Sequence, residues 1–161
     1  SELPVNQIII TLQIKSSDEK IIAPQSPVEV PICYELGSDL HFVAEHSGLS
    51  PDEVIKLHIK GTYEVAMIGF LPGFVYAEGL DKKLYCPRKE VAVKHVPKGS
   101  VGIGGFQTGI YSFDSPGGWN IIGRTPMELF QIELTPPVTL PLGSLFTFCR
   151  ITETEFNQWE S

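Results

Sequence analysis

The sequence predicts a mainly β domain with two or three short helices and a closed or nearly closed sheet, on three observations. From Thr62 onward, short apolar and β-branched runs are separated by Pro and Gly. Two segments between Ser38 and Gly61 show helical spacing with start and stop signals. The stretch from Gly99 to Thr125 holds Gly99, Gly102, Gly104, Gly105, Gly109, Gly117, Gly118 and Gly123, with only Asp114 and Arg124 charged. A flexible linker would be polar, whereas here Val101, Ile103, Phe106, Ile110, Tyr111, Phe113, Trp119, Ile121 and Ile122 interleave with the glycines. Strands joined by tight turns have that pattern, and glycines among aromatics suit a concave binding surface.

In chain order, residues 1–27 read as the tail of another unit and a tether. The apolar run Ile8–Ile14 fits either a strand or the last turns of a helix, and the Ser16–Lys20 and Pro24–Pro27 segments read as connectors. Residues 28–161 form the main domain. Val28–Cys33 alternates as a strand, with Pro31 suiting a sheet edge. Ser38 is placed to cap a helix over Asp39–His46, ended by Gly48. Ser50-Pro51-Asp52-Glu53 is a capping box with proline at the first helical position, and that helix stops at Gly61. Strands are expected over Thr62–Phe70, Phe74–Ala77, Val91–Val96, Val101–Phe106, Trp119–Gly123 and Leu145–Ile151. Thr152-Glu153-Thr154-Glu155 is placed to cap a last helical turn that packs Phe156 and Trp159.

A length of 161 residues suits one domain with a self-sufficient core. The net charge of -7 argues against a nucleic-acid partner, because phosphate binding needs a basic face. No apolar run approaches membrane-spanning length, and the N-terminus lacks a signal-peptide pattern. Cys33, Cys86 and Cys149 are odd in number, far apart and form no Cys-x-x-Cys pair, so they read as reduced thiols in a cytoplasmic protein. His41 and His46 fall on different helix faces, and no metal site is expected.

Two glycine motifs are excluded. Gln107 stands where a dinucleotide fingerprint needs its third glycine, and Ile110-Tyr111 where a P-loop needs Lys-Ser/Thr. Phe70-Leu71-Pro72-Gly73-Phe74 is either a greasy hairpin or the apolar wall of a pocket. Arg88 and Arg124 would form a carboxylate or phosphate clamp if they converge. Gln107 offers one acceptor and two donors, the complement of an amide, lactam or urea, with backbone ties between loops as the other reading. Tyr111 lies among the aromatics of the same stretch. Trp119 reads as core or pocket floor, and Asp114-Ser115-Pro116-Gly117 as a type I turn.

Val65–Phe74, Gly79–Asp81, Pro87-Arg88, Val96–Tyr111 and Ser115–Pro126 closely resemble the allophanate hydrolase subunit 1 family. That family includes a component of a bacterial three-component 5-oxoprolinase, an inhibitor of a sporulation histidine kinase and half of the carboxyltransferase region of urea amidolyase. The resemblance implies a cyclophilin-like β-barrel, preceded by a small α/β domain of which residues 1–27 would be the remnant. It implies no prolyl isomerase, since the Phe-His-Arg tripeptide of cyclophilin enzymes does not occur here. His95 stands where many relatives carry Arg, which makes an anion contact there pH-dependent.

The function implied is that of a non-autonomous subunit of an ATP-dependent 5-oxoprolinase. Its partners would be a homologous sister subunit and a LamB/YcsF-type protein, with ATP used in the assembled complex and not bound by this chain alone. Gln107 would hold the lactam amide, and Arg124 and Arg88 the carboxylate or a phosphorylated intermediate. Phe70, Phe74, Tyr111 and Trp119 would line the pocket, with water attacking. One alternative is a module that inhibits a histidine kinase by gripping a helix with Phe70, Leu71, Phe74 and Trp119. Another is carboxyl transfer from carboxybiotin to urea, which needs a carrier domain that these residues do not contain.

Overall fold

A computed structural model describes residues 26–159. The tether and the Ile8–Ile14 run therefore lie outside the described residues. Chain order gives β1 (Val28–Ile32), α1 (Leu40–Ser47), α2 (Pro51–Lys60), β2 (Tyr63–Ile68), β3 (Val75–Glu78) and β4 (Val93–Val96). It continues with β5 (Ser100–Gly104), β6 (Gln107–Ile110), β7 (Ser115–Gly117), β8 (Asn120–Arg124), β9 (Leu145–Arg150) and α3 (Glu153–Trp159).

Seven strands form one sheet in the order β1-β9-β2-β3-β6-β5-β8. The β1–β9 pair is parallel and its other ladders are antiparallel. The ends meet at Cys33 and Arg124: Cys33 N–H donates to the Arg124 carbonyl at 2.8 Å, and Arg124 N–H to the Cys33 carbonyl at 3.0 Å. That bridge joins the last strand to the end of the first and makes the sheet a barrel. Pro31 fits β1 because this strand has one ladder partner along its length, so a missing N–H leaves no bond unmade. β4 and β7 form a separate antiparallel ribbon.

The helices pack outside the barrel, α1 on β8 and α2 on β9. Ser50 forms the expected capping box, its hydroxyl accepting from Glu53 N–H at 3.2 Å while the Glu53 carboxylate accepts from Ser50 N–H at 2.7 Å. The cap expected at Ser38 is not made. The N-cap of α1 is Asp39, with no side-chain cap bond, because its carboxylate accepts from Ile121 N–H at 2.8 Å and pairs with Lys89 at 2.8 Å. A tertiary tie has replaced a local one. Thr152 and Glu155 cap α3 reciprocally, and Phe156 is buried, but Trp159 is exposed where packing was expected.

One buried polar chain crosses the barrel. Thr108 Oγ1 donates to the Gly102 carbonyl at 3.0 Å, so it accepts from His58 Nε2 at 3.0 Å, which leaves Nδ1 to accept from Tyr34 O–H at 2.7 Å. His58 stacks on Phe148 with ring centroids 4.4 Å apart. Burial pushes its imidazole down to about 3, so the ring is neutral and structural.

Candidate active site

β5 and β6 build the floor. Their register pairs Gly102 with Gly109 and Gly104 with Gln107, while the alternate residues Val101, Ile103, Thr108 and Ile110 face the core. Gly102, Gly104 and Gly109 therefore leave one face of two adjacent strands bare except for Gln107 at its end. The Trp119 indole lies on that bare face: a Cβ on Gly104 would come within 2.6 Å of two ring carbons, and one on Gly109 within 2.9 Å. Gly105, at φ 66, turns the hairpin.

Above the indole lies Arg88, its guanidinium carbon 5.3 Å from the ring centroid, an arrangement that fixes a planar cation. Arg88 is exposed and makes no ion pair among the described residues. Its backbone is held from below. Asn120 Nδ2 donates to the Pro87 carbonyl at 2.8 Å and to the Ile103 carbonyl at 3.2 Å, tying the Pro87–Arg88 segment to β5. Lys89 N–H adds a bond to the Gly118 carbonyl at 2.7 Å.

A cavity of about 400 Å³ opens over this stack, lined by Phe70, Phe74, Tyr76, Arg88, Lys89, Ala92, Tyr111, Pro116, Gly117, Gly118 and Trp119. Phe74 is the hub of its aromatic wall, at 4.7 Å from Tyr76, 4.9 Å from Tyr111 and 5.7 Å from Phe70 between ring centroids. Phe70, at φ 66, is the only non-glycine in the left-handed region among the described residues. Such strain is held by surrounding structure and clusters at ligand sites. With an apolar body, one unpaired guanidinium and Lys89 neutralised by Asp39, the cavity suits a small molecule with a flat ring and a single carboxylate.

Five of the seven residues singled out in the sequence thus meet in one cavity: Phe70, Phe74, Arg88, Tyr111 and Trp119. Gln107 and Arg124 are not among its lining. Gln107 opens β6 opposite Gly104, on the face that carries Trp119, but beyond the cavity. Arg124 lines clefts elsewhere and stacks over Phe156 at 5.3 Å, so the two arginines do not form one clamp. The glycines flanking Gln107 seat an indole, where close approach of a ligand was expected. Asp114 is exposed and accepts from Lys98 N–H at 2.6 Å, a loop tie, but the type I turn expected over Asp114–Gly117 is not formed, because Ser115–Gly117 pairs with β4 as strand β7. Of the residues named for a helix grip, Phe70 alone is exposed, Leu71 being half-buried and Phe74 and Trp119 buried. Tyr76, Lys89 and Asn120 were missed, and nothing in their local sequence marks them.

No thiol here is poised as a nucleophile. Burial pushes Cys33 and Cys149 up to about 11 and raises Cys86, and no serine or cysteine among the described residues is hydrogen-bonded to a histidine. No described helix is long and apolar enough to cross a membrane.

A sheet closed into a barrel, with an aromatic cavity on its outer face under a two-stranded ribbon, defines a barrel domain of the carboxyltransferase type. The chain belongs to the family described as carboxyltransferase domain, subdomain C and D, whose model matches residues 4–140. It is 45% identical over 135 residues to the B-type subunit of 5-oxoprolinase from Bacillus subtilis, a match covering 83% of this chain and 56% of that protein. The chain thus spans about half the length of this curated relative. A crystal structure of a conserved uncharacterized protein from Pyrococcus horikoshii superposes with a TM-score of 0.77 at 42% identity, covering 93% of this chain and 68% of that one. The K. lactis urea amidolyase shares the fold alone, with a TM-score of 0.72 at 19% identity over 95% of this chain and 11% of that one.

Proposed function

We propose that this chain is a B-type subunit of a heteromeric ATP-dependent 5-oxoprolinase, which opens the lactam of 5-oxoproline to glutamate. The observation that carries this reading is the Arg88 guanidinium held over Trp119 in an aromatic cavity, in a chain 45% identical to a 5-oxoprolinase component of that type. Arg88 takes the substrate carboxylate, while Trp119, Phe74 and Tyr111 hold the ring and keep water from its apolar edge. A lactam is a poor electrophile until its oxygen is activated, and ATP supplies that activation in the assembled complex. The glycines of β5 and β6 are occupied by Trp119 and form no phosphate cradle, so nucleotide binding is assigned to the partners. Those partners are a homologous sister subunit and a LamB/YcsF-type protein. With no activated nucleophile among the described residues, water attacks the activated carbonyl, and the base comes from across the assembly.

Reconstitution tests the proposal. Glutamate formation from 5-oxoproline is expected only when the chain is mixed with both partners. Arg88→Ala should lower turnover of the complex at least tenfold, about 1.4 kcal/mol, with little change in melting temperature. Robust hydrolysis by the chain alone would overturn partner dependence, and full turnover in Arg88→Ala would remove Arg88 from the site.

A further inference from the structure

On the far side of Lys89 lies a second cleft of about 400 Å³, whose lining includes Ser38, Lys89, His95, Ser100 and Arg124. In a chain of net charge -7 this lining carries two permanent cations, a histidine and two hydroxyl side chains, and no carboxylate. Asp39 reaches Lys89 and Asp114 reaches His95 from outside the lining, the latter at 3.4 Å between exposed side chains. Arg124 has no ion pair among the described residues. Its guanidinium is nevertheless fixed on two sides. Nε donates to the Lys98 carbonyl at 2.7 Å, and the Phe156 ring lies 5.3 Å from its central carbon. The strand beneath is anchored in turn by the Cys33 bridge that closes the barrel. Both Nη nitrogens remain without an acceptor among the described residues, a pre-oriented fork that loses little entropy on meeting an oxyanion.

We propose that this cleft is a binding site for a dianionic phosphoryl group, held by the Arg124 fork with Lys89 and His95 at its sides. A phosphoryl group, with several acceptor oxygens, matches the Arg124 fork, with His95 and Lys89 in the same lining, better than a single carboxylate does. The aromatic cavity also has one unpaired guanidinium and shares the paired Lys89, but it has no histidine in its lining and is walled by aromatic rings. Lys89 lines both, so phosphoryl binding here draws Lys89 away from Asp39 beside the other cavity. The inference stands apart from the 5-oxoprolinase proposal, since the two sites are read by different ligands and different arginines.

The test titrates the purified chain with inorganic phosphate and, in parallel, methyl phosphate, at constant ionic strength set with sodium chloride. Phosphorus NMR line broadening and thermal shift are the readouts. Saturable binding that chloride does not reproduce is expected, roughly tenfold weaker in Arg124→Lys, which keeps the charge but loses the fork, and unchanged in Arg88→Ala. Tighter methyl phosphate would mark the ligand as a phosphoryl group on a larger molecule, and tighter inorganic phosphate as the free ion. Wild-type affinity in Arg124→Lys, or loss of binding in Arg88→Ala, overturns the assignment. If Arg124→Lys does not fold, the exposed His95→Gln decides: a severalfold weaker phosphate affinity supports the cleft, and an unchanged one overturns it.

Discussion

Gly104→Ala is expected to destabilise the chain by about 2 kcal/mol and to unseat Trp119, although it adds a single methyl group. The new Cβ would lie 2.6 Å from the fused carbons of the indole, and the ring cannot slide across the floor because Gly109 meets it on the neighbouring strand. Trp119 must lift, and Arg88 with it. Urea denaturation reports the stability, and the indole emission of the folded variant reports the displacement. Gly69→Ala is the control, since a Cβ there meets nothing within 4 Å, and its stability should stay within about 0.5 kcal/mol of the parent. Equal stability of the two variants would mean that the glycine floor does not set the position of the indole.

The second large effect is acid sensitivity centred on His58. Its folded value of about 3 lies below the ordinary 6.5 of an unfolded histidine. Above 6.5 the ring is neutral in both states and contributes no pH dependence. As pH falls below 6.5 the unfolded chain takes up a proton that the folded chain refuses, so stability falls across the window from 6.5 toward 3. Between pH 6.5 and 4.5 the loss should approach about 2 kcal/mol. Glu35, held low chiefly by its bond from Arg150, acts in the same direction at lower pH, which leaves the upper part of the window to His58. His58→Gln should be less stable at pH 7 but much flatter over that window. Equal slopes in the two proteins would contradict a neutral, unprotonatable ring.

What the sequence disclosed follows from which forces are local. The capping box at Ser50, the αL stop at Gly48 and the strands rich in Val, Ile and Phe are written in adjacent residues, and the structure has them. β6 and β7 escaped notice because Gln107-Thr108-Gly109-Ile110 and Ser115-Pro116-Gly117 have weak strand character of their own. They are strands because β3, β5 and β4 offer ladders to them. Ser38 looked like a cap only until Asp39 found partners eighty-two residues away in Ile121 and fifty in Lys89. The aromatic and cationic members of the cavity stood out as residue types. Their arrangement did not, because the Gly floor, the Asn120 tie beneath Arg88 and the separation of Arg124 from Arg88 all depend on strand register.

The Arg88–Trp119 cavity is tested most directly by the fluorescence of Trp119 in a Trp159→Phe background, since these are the two tryptophans of the chain. Saturable change on adding 5-oxoproline is predicted, with binding at least roughly tenfold weaker for 2-pyrrolidinone, which lacks the carboxylate, and weakened equally for 5-oxoproline in Arg88→Ala. Equal affinity for the two lactams, or an undiminished response in Arg88→Ala, would contradict carboxylate recognition by the guanidinium over the indole.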